Sequence, residues 1–146
     1  MALNVDIDVN ISKDASGAID RGTKKFLRDG ADRGFAHSQE LVPEDRGTLR
    51  QSGFQPTWDS EGNLRYGYRA EHAPYMEFGT DAYWPPIGPL RDWAERVSGD
   101  PGLAYYVQQK IAEEGIDAQP YLRPAARKQE QWYSSRDIGN YIESEL

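Results

Sequence analysis

The sequence predicts an α+β protein: a long N-terminal helix and further helices packed on a small, mainly antiparallel sheet. One observation is a change of hydrophobic period near residue 12. "NVDIDVNI" (4–11) alternates strictly, with Val5, Ile7, Val9 and Ile11 on one face and Asn4, Asp6, Asp8 and Asn10 on the other. That is the pattern of a half-buried strand. From Asp14 to Leu41 the apolar positions recur at helical spacing instead. A second observation is "FQPTWDSEGNLRYGYRA", two short strand-like runs about a turn-forming "DSEGN". The third is order: helical segments follow this hairpin in a run rather than alternating with strands.

Within the first helix, Ser12 or Asp14 supplies a cap and Pro43 a stop. Its expected apolar stripe is Ala15, Ile19, Phe26, Gly30 or Ala31, Gly34 or Phe35, and Leu41. Gly17, Gly22, Gly30 and Gly34 each weaken an isolated helix by about 1 kcal/mol relative to alanine. Either close packing against another backbone offsets that loss, or the helix breaks near one of them. "LVPEDRGTLRQSG" is expected to be a loop leading into the hairpin, whose second strand alternates Leu64, Tyr66 and Tyr68. In "PPIGPLRDWAERVSG", Pro89 suits a first helical turn, Leu90, Trp93, Ala94 and Val97 share a face, and Gly99 ends the helix. "DPGLAYYVQQKIAEEG" reads as another helix closed by Gly115. Pro124 opens a last helix carrying Trp132, Tyr133, Ile138, Tyr141 and Ile142. The expected organisation is one domain over 1–146, with 1–12 as an N-terminal strand and 133–146 as a C-terminal helical tail.

The 146 residues suffice for one domain with a real core. There are no cysteines, which removes disulfides and thiolate zinc sites from consideration. "MALNVDIDVN" has no basic segment followed by an apolar run, so no signal peptide is expected, and no apolar stretch is long enough to cross a bilayer. A soluble protein without membrane contact is the expectation. Twenty-four acids against seventeen bases give a net charge of -7, which opposes tight, counterion-driven binding to nucleic acid. Twelve of those bases are arginine and five lysine. The balance fits either an ordinary acidic domain or a protein that stays soluble in strong salt, where screening removes self-repulsion.

Searching for chemistry returns little. His37 and His72 are far apart and share no metal-ligand spacing, and no phosphate-cradling loop, nucleophile elbow or dinucleotide fingerprint is present. No cofactor or metal is expected. Glu113-Glu114 reads as a solvated face. Two charges stand out because they are set among bulky apolar neighbours: Glu77 in "HAPYMEFGTDAYWPP" and Arg123 in "QPYLRPAA". Desolvating an ion costs several kcal/mol, on the order of magnitude of a whole domain's margin, unless a partner answers it. The two answer each other, or another arginine such as Arg50 answers Glu77. A buried pair adds little net stability but discriminates between arrangements. Alternatively, Glu77 is a general acid with a raised pKa in an aromatic pocket, as in carbohydrate-active enzymes, with Asp81 the nearby second carboxylate.

Three blocks carry a resemblance. "LVPEDRGTLRQS" resembles a Pro-x-x-x-Gly-x-Leu-Arg-x-Ser signature, "HAPYMEFGT" a Tyr-Ala-x-x-x-Glu-Phe-Gly-Thr block, and "AQPYLRPA" a Gln-Pro-Phe-Leu-Arg-Pro-Ala block. In this order, after a long helix, they resemble the gene-product-ten-like neck or tail-completion family, the head–tail joining proteins of long-tailed phages and archaeal tailed viruses. The chain departs from the pattern at Asp45-Arg46-Gly47, where Thr48 is displaced past the glycine, has His72-Ala73-Pro74-Tyr75 where the family often has tyrosine-alanine, and carries Tyr121 in place of phenylalanine. The segments before the long helix and after Trp132 lie outside the blocks.

The resemblance implies a virion protein without enzymatic activity. It would be assembled in the host cytoplasm and sit at the head–tail junction as a homo-oligomeric ring, a hexamer favoured over a dodecamer. Implied partners are other copies of itself, an adjacent neck or head-closure protein, and a tail-terminator or tail-tube protein. Genomic DNA would pass through without sequence-specific binding, past an acidic lining that does not grip it. The acidic composition then fits a virus of a salt-loving, archaeal host. A tail-terminator ring is the neighbouring alternative. The motif positions are Gly47, Leu49, Arg50, Glu77, Phe78, Gly79, Thr80, Pro120, Tyr121, Leu122, Arg123 and Pro124. Gly79 is expected to serve a backbone turn, Phe78 and Leu122 packing, and Glu77 and Arg123 register. Trp84, in the stiff "AYWPPIGP" loop, either anchors a contact with a neighbour or packs on its own domain.

Overall fold

The computed structural model describes residues 13–44 and 47–146. The elements run α1 (Lys13–Leu41), α2 (Thr48–Gln51), β1 (Gly53–Trp58), β2 (Leu64–Tyr68), α3 (Ala73–Phe78), α4 (Ile87–Ser98), α5 (Leu103–Glu114), α6 (Leu122–Ser134) and α7 (Ile138–Glu143). The class is α+β, as expected. The strand expected over Asn4–Ile11, and Asp45 and Arg46 of the first motif block, lie outside the described residues.

α1 is unbroken over 29 residues, and its glycines explain why other elements gather on it. The buried positions are Ala18, Gly22, Phe26, Gly30, Gly34 and Ser38, followed by Val42, one residue in every four, with Ala31 buried beside Gly30. At about 100° per residue, each such step overshoots a full turn by roughly 40°, so the stripe winds around the helix. Successive partners therefore approach from different sides. At Gly22 an added Cβ would lie 2.7 Å from the Ile142 Cα of α7. At Gly30 it would run into the ring of Tyr133 from α6, and at Gly34 into the Tyr66 hydroxyl of β2. Ser38 Oγ lies 2.8 Å from the Tyr68 hydroxyl. Close approach thus accounts for three of the four glycines; Gly17 meets only the side chain of Arg21. The expected stripe needs correction at its ends. Ile19 and Leu41 are 47% and 40% exposed, and the smaller Ala18, Gly22 and Ser38 take the inward places.

The hairpin forms where expected. β1 and β2 pair antiparallel, Gly53 with Tyr68 and Trp58 with Leu64, and a register shift between Phe54 and Thr57 accommodates Pro56. Proline has no N–H to give the ladder, so it is confined to such irregularities. The turn is held by Asp59 Oδ1, which accepts from the backbone N–H groups of Glu61 and Asn63, both at 2.9 Å. Tyr66 and Tyr68 then reach α1 and α6: the Tyr66 hydroxyl donates to Gln129 Oε1 at 2.6 Å. Burial pushes the Tyr66 phenol up to about 12.

Three further expectations are corrected. The segment read as a loop before the hairpin contains the one-turn helix α2, which Gly47 introduces at φ 71. The last helix is two helices. α6 starts at Leu122, ahead of Pro124, and stops at Ser134, so only Tyr133 and Ser134 of the expected 133–146 tail belong to it. α7 starts afresh because the Asp137 carboxylate accepts the Gly139 N–H at 2.8 Å. Val97 of α4 points outward at 53% exposure, while Ala94 is fully buried against α5.

The Gly22–Ile142 contact yields a stability prediction. Gly22→Ala gains helix propensity yet places a methyl on the α7 backbone, so we expect net destabilisation of about 1–3 kcal/mol in chemical denaturation. Amide exchange should accelerate in residues 138–143 more than in α4–α5.

Candidate functional site

α6 has a problem at its first turn that its own sequence does not solve. The Tyr121 side chain does not cap the helix, and Tyr121 is fully buried and Leu122 half-buried, so the first N–H groups are largely shut off from bulk water. Glu77 solves it from α3. Its Oε2 accepts from the backbone N–H of Tyr121 at 2.7 Å and of Leu122 at 2.9 Å. Its Oε1 accepts from the Arg123 backbone N–H at 2.9 Å and from Arg123 Nε at 3.0 Å. The guanidinium also donates through Nη2 to the Glu77 carbonyl at 2.7 Å. One carboxylate, 3% exposed, therefore takes four donors at the positive end of a helix. Burial pushes the Glu77 carboxyl up, but the three backbone donors and Arg123 outweigh it and hold it below the ordinary value of 4.5.

The expected pairing of Glu77 with Arg123 is present, whereas Arg50 is engaged elsewhere: its Nη1 lies 3.2 Å from Glu44 and its Nε donates to Gln39. The Phe78 role is corrected. Phe78 is 67% exposed and sits beneath the Arg123 guanidinium, 4.9 Å from its ring centroid, rather than in the core. Leu122 does pack on the core, beside a cluster of Val42, Leu49, Ala73 and Tyr121. Gly47 and Leu49 bring the first block to this cluster, and the Tyr121 hydroxyl donates to the Ala73 carbonyl at 2.9 Å. Burial, with Glu77 nearby, pushes that phenol up to about 12. Pro124 is half-buried in the first turn of α6, and Pro120 is exposed just before it.

Gly79 and Thr80 stitch the same two segments together. Gly79 has φ 72, and a Cβ there would lie 2.5 Å from the Ile116 carbonyl oxygen and 2.8 Å from the Ala118 nitrogen. Thr80 and Ile116 exchange backbone hydrogen bonds at 2.9 and 3.3 Å, and the Ile116 N–H lies 3.1 Å from Thr80 Oγ1. Gly115 faces them, and a Cβ on it would collide with the Thr80 carbonyl. Gln119 N–H adds a bond to the Met76 carbonyl at 2.7 Å. Positions 49, 73–80 and 115–124 thus form one unit.

Trp84 is not part of it. It lies in the loop before α4, 68% exposed, so of the two alternatives for it, packing on its own domain is not the one seen. Its neighbours are fixed: Tyr83 N–H bonds the Ile111 carbonyl at 3.3 Å, and the buried Gln108 donates to the Pro85 carbonyl at 2.8 Å. Sequence reading passed over Gln108. The signal was its spacing from Ala104 and Ile111, which puts an amide on the inward face of α5. Tyr121 as a buried hub was also missed in that role; its T-shaped contact with Tyr68, 4.9 Å between centroids, joins the unit to the hairpin.

As chemistry, the unit holds a carboxylate ionised and saturated. A general acid needs the opposite shift, and every strong acceptor position of Glu77 is occupied, so the carbohydrate-active reading loses the residue it rested on. Among the described residues no three His, Asp or Glu side chains are grouped to hold a metal ion, and no helix is long and apolar enough to cross a membrane.

Two predictions follow from the cap. Glu77→Gln turns an amide N–H₂ toward donors, which should cost about 2–4 kcal/mol of unfolding free energy, read from the denaturant midpoint. A depressed carboxyl contributes stability that is present above its ordinary value and is lost as pH falls through the folded one. The wild type should therefore lose stability progressively as pH falls below 4.5, and Glu77→Gln should show a shallower acid limb over the same range.

No family model matches the chain, and no curated protein or solved structure is similar to it.

Proposed function

We propose that this chain is a structural virion protein of the head–tail connector. It forms a homo-oligomeric ring, favoured as a hexamer over a dodecamer, in the neck or at the tail top of a tailed virus. It joins head to tail and lets DNA pass, without turning over a substrate. One observation carries the reading. The three blocks that resemble the neck and tail-completion family are far apart in the chain, yet Leu49, Ala73, Glu77, Gly79, Tyr121 and Arg123 make a single hydrogen-bonded and packed unit. That the three blocks meet in one physical element supports reading them together rather than as three separate short matches.

Two properties suit the role. A net charge of -7 leaves a surface that DNA slides past rather than grips. Large aromatic side chains remain exposed, Trp84, Tyr105, Tyr106 and Phe78 among them, and such residues are enriched at the centres of protein interfaces. The neighbours on this reading are a neck or head-closure protein on one side and a tail-terminator or tail-tube protein on the other. The same composition fits a virus of a halophilic archaeal host, so assembly is best tested in strong salt.

The test is the mass of the purified protein in molar salt, by light scattering and native mass spectrometry. A closed multimer, six copies in the favoured case, is expected. A protein that stays monomeric at all concentrations, and is absent from the neck density of whole particles, overturns the reading. Density at the end of the tail tube instead would select the tail-terminator alternative.

A further inference from the structure

Beside the Glu77 cap runs an open groove of about 490 Å³, bordered by Pro74, Phe78, Leu122 and Ala126, with Arg123, Glu77 and Glu71 as its charged members. The lining is mostly apolar, and Phe78 contributes a ring that is 67% exposed. The Arg123 side chain is 50% exposed. Its Nε and Nη2 serve Glu77, while Nη1 donates to no protein group among the described residues. Glu77 balances the guanidinium, but the same carboxylate also answers the positive N-terminus of α6, so this end of the groove retains a positive character. Besides Glu77, whose oxygens are taken up by the cap, the exposed Glu71 is the other carboxylate on the border.

The chain also carries a shape that matches. In the Asp81–Pro86 loop, hydrogen bonds at Tyr83 and Pro85 fix the backbone on both sides of Trp84, and Pro86 holds φ −59, ψ 136. The indole is displayed on a backbone that has little freedom left to lose on docking. Asp81 is the sole charge between residues 81 and 90. The loop thus offers a carboxylate followed by an indole and two prolines; the groove offers a guanidinium beside an apolar trough.

We propose that the Asp81–Pro86 loop of one copy docks into the Phe78–Arg123 groove of a second copy, with Trp84 in the trough and Asp81 toward Arg123. The contact joins two different patches, so it is head-to-tail and propagates around an axis. This rests on the ring reading above and specifies its subunit contact.

Because the chain has no cysteine, cross-linking has a clean background. Ala82→Cys and Ala126→Cys, both at exposed alanines, are purified separately and mixed under mild oxidation. The mixture should give a disulfide-linked pair of the two variants well above either variant alone. In parallel, Trp84→Ala, which removes an exposed side chain, should leave melting unchanged, and Phe78→Ala, which also removes the ring beneath Arg123, should lower it only slightly, both variants keeping the helical circular dichroism of the wild type. Each should weaken self-association roughly tenfold or more. Mixed together, they retain one intact loop and one intact groove, and should form a one-to-one pair that cannot extend. If the wild type assembles but neither substitution weakens it and the cysteine pair does not cross-link, the contact is wrong while the ring stands. A wild type that never assembles removes both.

Discussion

A helix that begins in a protein interior leaves several N–H groups facing a region where water cannot serve them, and each unmet donor costs on the order of 1–3 kcal/mol. α6 begins this way, at fully buried Tyr121, and the group that meets its donors is a carboxylate more than forty residues earlier in the chain. The arrangement of the C-terminal half follows from that choice. Once Glu77 fixes where α6 starts, Tyr133 one end away falls over Gly30 and donates to the Leu27 carbonyl, and Gln129 meets Tyr66. Against a well-packed apolar alternative the Glu77–Arg123 pair offers little net stability. What it offers is selection, since any other docking of α3 on α6 strands a buried anion and a set of buried donors.

The long helix supplies the complementary constraint. Small residues at all but one of its every-fourth positions, Phe26 being the exception, make a shallow helical track instead of a straight apolar seam, and a two-stranded hairpin and two helices pack along it. Isolated hairpins of two strands are marginal in water. Here the hairpin is held because Tyr66 and Tyr68 place their hydroxyls against α1 and α6 while their rings pack on Phe35. The helix is the hub and the sheet is an attachment to it, which is how so small a sheet persists in the fold.

The class, the helical period of α1, the hairpin and the glycine ends of α4 and α5 were legible because each leaves a periodic or conformational trace in the residues themselves, whereas the continuity of α1 depends on the partners its glycines admit. The peculiarity of Glu77 was legible too, because an anion between Met76 and Phe78 contradicts its surroundings. Its main partners were not. Three of the four donors are backbone N–H groups, which every residue but proline carries, so no side chain advertises them. The inward stripe of α1 was misread for a related reason: hydrophobic periodicity favours Ile19 and Leu41 over glycine and serine, whereas close packing favours the small residues. Phe78, expected to pack, faces solvent instead. With Glu77 turned inward, the next residue on a helix lies about 100° around the axis, and that direction is outward.

The stitched segments also explain where the exposed aromatics are. Thr80 and Ile116 pair with each other, so the chain leaves the core at residue 81 and returns at residue 115 through a single closed base. Everything between them, α4 and α5 with the loop before them, is a unit whose ends are fixed and whose internal packing is its own, through Ala94, Ala104, Gln108 and Ile111. Such a unit can vary its outer surface without disturbing the cap, because its outer side chains take no part in the base. Tyr83, Trp84, Val97, Tyr105 and Tyr106 are all exposed, and all lie within it. A fold that keeps its buried charge and two tightly packed glycines, Gly79 and Gly115, at the base, and carries several exposed aromatics on the α4–α5 unit, separates the part that orders the chain from a part that is free to meet something else. Phe78 and Arg123 stand at the boundary between the two, one flank on the cap and the other on solvent, which is where a contact made by the α4–α5 unit would be felt by the element that orders the rest.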